Sequence, residues 1–377
     1  MKTQVLVTIH YMELGGAEMS LLGLLESLDY SKYEVDLFVY SHRGELLRHI
    51  PPQVHLLPEI PEYAQVERPL REVVRDGYFR IALARLRAKW QHTRYTARKH
   101  PKDGSAIYSA VARNVGPLLP PICPGKEYDC AVSYLAPHDF VLQKVRSKQK
   151  FCWIHTDYSQ IDVDTERELP VWAGYDRIVA ISGQVKEAFL SVFPSLKDRI
   201  VIWKNRLPAT FIREQAEKMS EADIEKEMPR ATGTVNLLSV GRFCAAKNYD
   251  NVPSICRRIN EIMNPRGIRA VWYLIGFGSD EALIRERMTK DSLPGQVVIL
   301  GKKDNPYPYM KACDLYVQPS RYEGSPMTVL EARLLGRPVI LTQFPTAGSV
   351  AGEDKGISIV PMDKEACAAG IASYLNK

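Results

Sequence analysis

S-R-Y-E-G-S-P-M-T-V-L-E-A-R-L-L-G-R-P, residues 320–338, sets two carboxylates, Glu323 and Glu331, eight positions apart. Gly324, Ser325 and Pro326 lie between them, and a helical run follows. Ser325 reads as an N-cap and Pro326 as the first helical residue. Val329, Leu330 and Leu334 give that helix an apolar side, and Gly336 with Pro338 ends it. Upstream, 312–319 (A-C-D-L-Y-V-Q-P) reads as a strand, and downstream 339–342 (V-I-L-T) reads as another. The unit is strand, glycine-containing turn, helix, strand. In an open α/β sheet such a turn lies at the C-terminal edge of the strands, where ligands bind. The free N–H groups of the helix N-terminus favour phosphate there. Carboxylates on either side can take charge-assisted hydrogen bonds from sugar hydroxyls. The combination points to a nucleotide sugar, although each glutamate alone also fits a solvated helix position or a helix-dipole partner.

The same alternation extends in both directions. Strand 235–240 runs into Gly241-Arg242-Phe243 and then Lys247-Asn248. An Arg and a Lys five apart after a strand can both reach one diphosphate, the first as a fork and the second as a point charge; they also fit two exposed cations. Strand 271–275 leads to Gly276-Phe277-Gly278, which lacks the third glycine of a dinucleotide fingerprint. Strand 297–301 ends next to Lys302. In the first half, strands 5–10, 35–40, 54–57, 129–134, 151–155 and 176–182 are apolar, and 17–28 carries leucines at helical spacing. Strand and helix in alternation imply a parallel sheet covered on both faces. Gly15-Gly16, between the first strand and its helix, lets a backbone approach a ligand closely, or simply forms a tight turn. His155 ends its strand on the ligand side of the sheet, where a satisfied structural histidine is the alternative; Asp157 follows. The triplet Asp162-Val163-Asp164 sits in a polar stretch and reads as incidental.

S-x-x-E-G, with E-A seven residues on and G-x-P-V beyond, resembles the signature of retaining GT-B glycosyltransferases of the large group 1 family. So do the G-R-x-x-x-x-K-N element at 241–248 and W-I-H-x-D at 153–157. The resemblance spans nearly the whole chain and is strongest over 236–350. It implies an α/β, GT-B architecture of two Rossmann-like domains facing across a cleft. These are an acceptor domain over 1–206, a linker region over 207–233 and a nucleotide-sugar donor domain over 234–377. The family's final crossover helices are expected to be missing after the helix at 365–375. The implied reaction moves a sugar, with retention, from a nucleoside-diphosphate sugar to a hydroxyl of a glycan acceptor. A UDP-sugar is favoured over a GDP-sugar, and the acceptor is a lipid-linked saccharide of capsule, exopolysaccharide or cell-wall synthesis. The resemblance assigns Glu323 to the donor sugar, His155 to its other face, and Arg242 and Lys247 to the diphosphate. It places Gly15 and Gly16 opposite the phosphates, Lys302 near the base, Gly324 and Ser325 at the helix N-terminus, and Glu331 on the ribose. No divalent metal and no other cofactor is expected. The rivals are a sugar-nucleotide epimerase or a phosphorylase of the same fold, or a non-catalytic partner of another transferase. Such a partner would have lost the charges that stand at Arg242, Lys247, Glu323 and Glu331.

Composition narrows the setting. The chain has 377 residues, 45% hydrophobic and 25% charged, enough for two soluble globular domains. No apolar run reaches spanning length, and the N-terminus reads as a first strand, not a signal peptide. The 7 cysteines show no C-x-x-C spacing, which argues against disulfides or zinc and for a reducing cytoplasm. The formal net charge is +6, yet 68–102 holds eleven Lys/Arg against Glu72 and Asp76, a local +9. As a helix, this stretch carries Phe79, Leu83, Leu86 and Trp90 on one stripe and Arg80, Arg87, Arg94 and Arg98 on another. It is either a core-packed helix with a solvated back or a helix that meets an anionic membrane at the inner face of the plasma membrane. No nucleic-acid motif accompanies it, so a nucleic-acid partner is not expected.

Overall fold

Both halves of the chain fold as open parallel sheets. The structure is a computed structural model and describes residues 2–13, 15–99, 106–158, 161, 163–291, 294–323 and 326–376. It divides into two units, Met1–Pro208 and Ala209–Lys377.

The first unit holds β1 (Thr3–Ile9), β2 (Tyr33–Val39), β3 (His55–Leu56), β4 (Tyr128–Ser133), β5 (Ser147–Ile154), β6 (Arg177–Ala180) and β7 (Ile200–Ile202). Their order is β3-β2-β1-β4-β5-β6-β7, all parallel. The central strands are nearly continuous apolar runs because helices cover both faces: Leu6, Val7 and Ile9 of β1 are buried, as are Ala131 and Val132 of β4. The strand order reverses between β1 and β4, which sets a ligand-binding crevice beyond their C-terminal ends.

The second unit repeats the plan with β8 (Thr234–Val240), β9 (Arg269–Ile275), β10 (Val297–Gly301), β11 (Leu315–Gln318), β12 (Val339–Thr342) and β13 (Ile357–Val360). The order is β10-β9-β8-β11-β12-β13, again all parallel, with the reversal between β8 and β11. The helix Val252–Met263 buries Val252, Ile255, Cys256, Ile259 and Met263, one helical stripe, in a core shared with Trp272, Leu274, Leu315 and Ile340. Truncating one such large side chain to Ala costs about 2–5 kcal/mol. Inside the sheet the Trp272 indole donates to Ser239 Oγ at 2.9 Å, and Ser239 donates in turn to the Val317 carbonyl. This relay ties β9, β8 and β11 together one residue short of the end of β8.

Several expectations shift. The stretch 207–233, read as a linker region, contains helices Ala209–Ala216 and Glu221–Glu227, which belong to the second unit. Phe211, Ile212, Ala216 and Ile224 are buried. The charges that made the stretch look like a linker are committed: Glu227 to Lys303, and Glu217 to Lys311 at 2.7 Å. Asn305 also donates to the Gln215 carbonyl at 2.8 Å. The strand expected over 312–319 is shorter, because Ala312 closes the helix Tyr307–Ala312 and β11 starts at Leu315. The helix after Glu323 is Met327–Leu334, with Pro326 just ahead of it and not inside it. Gly324 and Ser325 lie outside the described residues, as does Asp162 of the D-x-D triplet. The basic stretch forms two helices, Leu70–Arg75 and Phe79–Lys99, parted at Gly77, whose φ of 85° suits glycine. All seven thiols are free. Among the described residues no helix is long and apolar enough to cross a membrane.

Candidate functional site

Two loops meet where the order of the second sheet reverses. After β8 the chain passes Gly241 to Asn248, and after β11 it passes Pro319 to Glu323. Asn248 is buried in the left-handed region, at φ 60°, which Asn tolerates better than most residues. Its amide donates to the Pro319 carbonyl at 2.9 Å. Arg321 N–H donates to the Ala246 carbonyl at 2.8 Å, and its guanidinium forks onto Asp250 at 2.9 and 2.7 Å. These contacts lock the loops edge to edge.

Glu323 sits on that junction. Its Oε1 accepts from Lys247 Nζ at 2.6 Å, from Gln318 Nε2 at 2.6 Å and from Ser320 Oγ. Gln318 and Ser320 are fully buried. Tyr316 OH donates to Gln318 Oε1 at 3.0 Å, which orients the Gln318 amide so that its N–H faces Glu323. The Glu323 carbonyl takes the Thr346 hydroxyl at 2.7 Å. Three donors therefore fix one carboxylate oxygen, while Oε2 has no partner among the described residues. Arg242, on the same loop as Lys247, is exposed and has no side-chain partner among the described residues. The site thus combines an anchored carboxylate, a cation shared with it, and a second cation held in reserve.

The floor of this edge is made of backbone. Gly241 N–H donates to Ile275 O at 3.0 Å, Phe243 N–H to Phe277 O at 2.8 Å, and Gly276 N–H to Gly301 O at 2.9 Å. A Cβ on Gly276 would stand 1.9 Å from the Gly241 carbonyl oxygen, and one on Gly278 2.2 Å from that of Phe243. The G-F-G segment is therefore glycine-rich so that the loops after β8 and β9 can touch. Lys302, at the end of β10, is exposed and lies 5.6 Å from the centre of the Phe277 ring, itself 56% exposed. Phe277 was missed in the sequence; its only signal was an aromatic between two glycines.

Glu331 is not a solvated helix glutamate. It is 6% exposed. Burial pushes its carboxyl up to about 7, against the pull of a hydrogen bond from Tyr307. It has no hydrogen bond to Lys247 or Glu323 among the described residues.

In the first unit, the edge beyond β1, β4 and β5 carries three histidines. His155 follows β5 and packs on the Tyr134 ring at 4.8 Å. Burial pulls it down to about 4, so it is neutral at physiological pH, and its Nε2 has no partner among the described residues. His10 follows β1, with Nδ1 2.6 Å from Glu67 Oε1 and a buried, unpartnered Nε2. Burial opposes the Glu67 charge, but the His10 hydrogen bond and the nearby Arg43 and Arg85 hold that carboxyl below its usual range. His138 Nδ1 and Ser133 Oγ share a hydrogen bond at 2.8 Å, and burial, with His10 and His155 nearby, takes the ring to about 3. A cavity of about 610 Å³ extends from His10, Tyr11 and Arg43 to His138, Arg167 and Trp172. The His10–Glu67 pair was not read from the sequence, since its members lie 57 positions apart.

Gly15 is extended and precedes the helix Gly16–Glu26; a Cβ there would meet Glu18 Oε2 at 2.3 Å. Gly16 has nothing within 4 Å of that position. Asp164 pairs with Arg167 at 3.1 Å at the head of the helix Thr165–Ala173. Among the described residues no group of three His, Cys, Asp or Glu is placed to hold a metal ion.

Residues 220–377 match the family described as Glycosyl transferases group 1. An uncharacterized glycosyltransferase of Methanocaldococcus jannaschii, MJ1059, is 26% identical over 172 residues, covering 45% of this chain and 40% of that protein. The lipopolysaccharide core biosynthesis mannosyltransferase LpsB of Rhizobium meliloti is 31% identical over 102 residues, 26% of this chain and 28% of LpsB. The chain thus spans well under half the length of these curated relatives. Among solved structures, Anabaena Alr3699/HepE in complex with UDP and glucose superposes with a TM-score of 0.59 at 14% identity, over 99% of this chain and 89% of that one. The two parallel-sheet Rossmann-like units are those of the GT-B fold.

Proposed function

We propose, on the premise that residues 220–377 match the glycosyl transferases group 1 family, that the chain transfers a sugar from a nucleoside-diphosphate sugar to an acceptor hydroxyl. The observation that carries this reading is Glu323, fixed through one oxygen by Lys247, Gln318 and Ser320. Its other oxygen is placed to take a donor sugar hydroxyl. Arg242 and Lys247 neutralise the diphosphate, and Glu331 takes ribose hydroxyls. His155, neutral and with a spare ring nitrogen, offers a hydrogen-bonding group at the ligand edge of the first unit. In transfer with retention, the bond from the anomeric carbon to the diphosphate oxygen breaks while the acceptor oxygen bonds to that carbon on the same face. The acceptor proton passes to the departing phosphate oxygen. The two cations stabilise the charge that develops on the leaving group, so no divalent metal is required. UDP is the favoured carrier, supported by HepE, which is solved with UDP and glucose. LpsB, a lipopolysaccharide mannosyltransferase, supports a bacterial glycan acceptor. We assign the acceptor as a lipid-linked saccharide at the cytoplasmic face of a membrane, held by the histidine-lined edge of the first unit.

A panel of UDP- and GDP-sugars, with nucleotide release followed with and without glycan acceptors, tests this. Release that depends on an acceptor supports transfer. Conversion of the nucleotide sugar without an acceptor would replace it with epimerisation, and dependence on phosphate with phosphorolysis.

A further inference from the structure

The helix Phe79–Lys99 packs on the first unit through Ile81, Ala82 and Ala88. Its large apolar residues face the other way: Phe79 is 65% exposed, Leu83 69%, Leu86 52% and Trp90 57%. At about 100° per residue these four fall within roughly 60° of one another, and Ile81 and Ala88 lie on the opposite side. A surface helix ordinarily turns its apolar stripe to the core; this one turns it outward. The ridge is continuous, unlike the scattered apolar residues of an ordinary surface. Exposed Arg80, Arg87 and Arg94 follow one flank and Lys89 the other, and the helix contains no Asp or Glu. None of these four cations has a carboxylate partner among the described residues. The Arg94 guanidinium lies 4.3 Å from the centre of the Trp90 ring, at the boundary between ridge and charge.

We propose that this helix face is a docking surface for an anionic lipid bilayer, with the Phe79–Trp90 ridge in the acyl boundary and the arginines on phosphate headgroups. Charge complementarity selects the occupant, since unpaired cations beside an apolar ridge match a layer that is apolar within and anionic at its surface. A second observation agrees. A cavity of about 590 Å³ lies between Trp90, Arg94 and Arg98 of this helix and the segment around Asp164. It shares Val163 and Arg167 with the larger cavity that reaches His10. A headgroup saccharide held at the bilayer would therefore lie beside the cavity that reaches the ligand edge of the sheet. The docking itself requires no donor chemistry, whereas its service to the acceptor rests on the proposed transfer.

The test is co-sedimentation of the full chain with vesicles of phosphatidylcholine alone and with added phosphatidylglycerol. Binding should rise with the anionic fraction, fall as salt is added, and shift to the blue the part of the tryptophan emission that Trp90→Phe removes. L83Q/L86Q and R80E/R87E/R94E should each weaken binding by about tenfold or more, with unchanged circular dichroism and melting temperature because these side chains are exposed. Equal recovery in the supernatant with both vesicle types at low salt would overturn the proposal. So would a concentration-dependent dimer abolished by L83Q/L86Q, which would show that a second copy covers the ridge. A chain that binds vesicles but releases nucleotide from no sugar donor would refute the transfer reading and leave the docking intact.

Discussion

Lys247 and Glu323 are 76 positions apart in the chain and 2.6 Å apart in the fold. They meet because β8 and β11 are neighbours at the reversal of the sheet, so the loops that leave them share one edge. The carboxylate also keeps two neutral donors, so losing the cation does not leave it bare. Lys247→Met and Glu323→Gln should each cut kcat/KM by about 100-fold or more. Combined, they should lose little beyond the worse single change, since groups that act as a unit are not additive. Losses that multiply in the double variant would show independent roles. Arg242→Ala should match the loss in rate with the melting temperature unmoved, because the exposed side chain has no partner to forfeit among the described residues.

Glu331 yields a pH prediction. Its carboxyl stands at about 7 in the fold against 4.5 for the free group. The folded state therefore holds a proton that the unfolded chain releases between these values. The stability this lends is complete below 4.5 and is lost as pH rises through about 7. Glu331→Gln, which cannot ionise, should be more stable than the parent at pH 8, by on the order of 3 kcal/mol at most. The two should converge near pH 5. Melting curves from pH 5 to 8.5 decide it; parallel curves would mean that the carboxyl titrates normally. Donor KM should rise in the same variant if Glu331 takes the ribose.

Two glycines separate structural from functional need. Gly276→Ala forces a Cβ against a carbonyl 1.9 Å away, so the variant should lose several kcal/mol of stability whatever the ligand does. Gly16→Ala meets open space in the first turn of a helix and should hold or raise the melting temperature, by about 0.5–1 kcal/mol in stability. A loss of kcat/KM in a Gly16→Ala protein that melts no lower than the parent would show that catalysis needs the room. Unchanged kinetics would make the glycine pair a turn and nothing more.

Asp164 is occupied by Arg167, and the proposed diphosphate site is built from cations and backbone. Turnover should therefore persist, within about twofold, in excess EDTA. Abolition by EDTA with recovery on adding magnesium or manganese would reject a cation-only mechanism.

How far the sequence led depends on the range of each interaction. Strand and helix alternation is local, and both parallel sheets followed from it. The E-G and G-R-x-x-x-x-K-N spacings put Glu323, Arg242 and Lys247 on the same kind of turn, which was enough to expect them to converge. The commitment of Glu217 and Glu227 to Lys311 and Lys303 was not legible, because those pairs cross 94 and 76 positions; two helices therefore looked like a polar linker. His10 and Glu67 were hidden for the same reason. Glu331 is buried and bonded to Tyr307 of another helix, which no spacing within 320–338 reveals. In the basic helix the period gave an apolar stripe and a charged one. Period fixes the angle between faces, but only the packing of Ile81 and Ala88 decides which side meets the protein.

The relay from the Trp272 indole through Ser239 to Val317 has a practical side. Trp272 is the sole tryptophan after residue 208, fully buried, and its N–H is bonded into the strands that carry the Gly241 and Pro319 loops. Indole emission responds to the field along its N–H, so strain transmitted when a ligand settles on those loops reaches a native fluorophore. With the four tryptophans of the first unit replaced by Phe or Tyr, the second unit would signal occupancy optically, without label or acceptor.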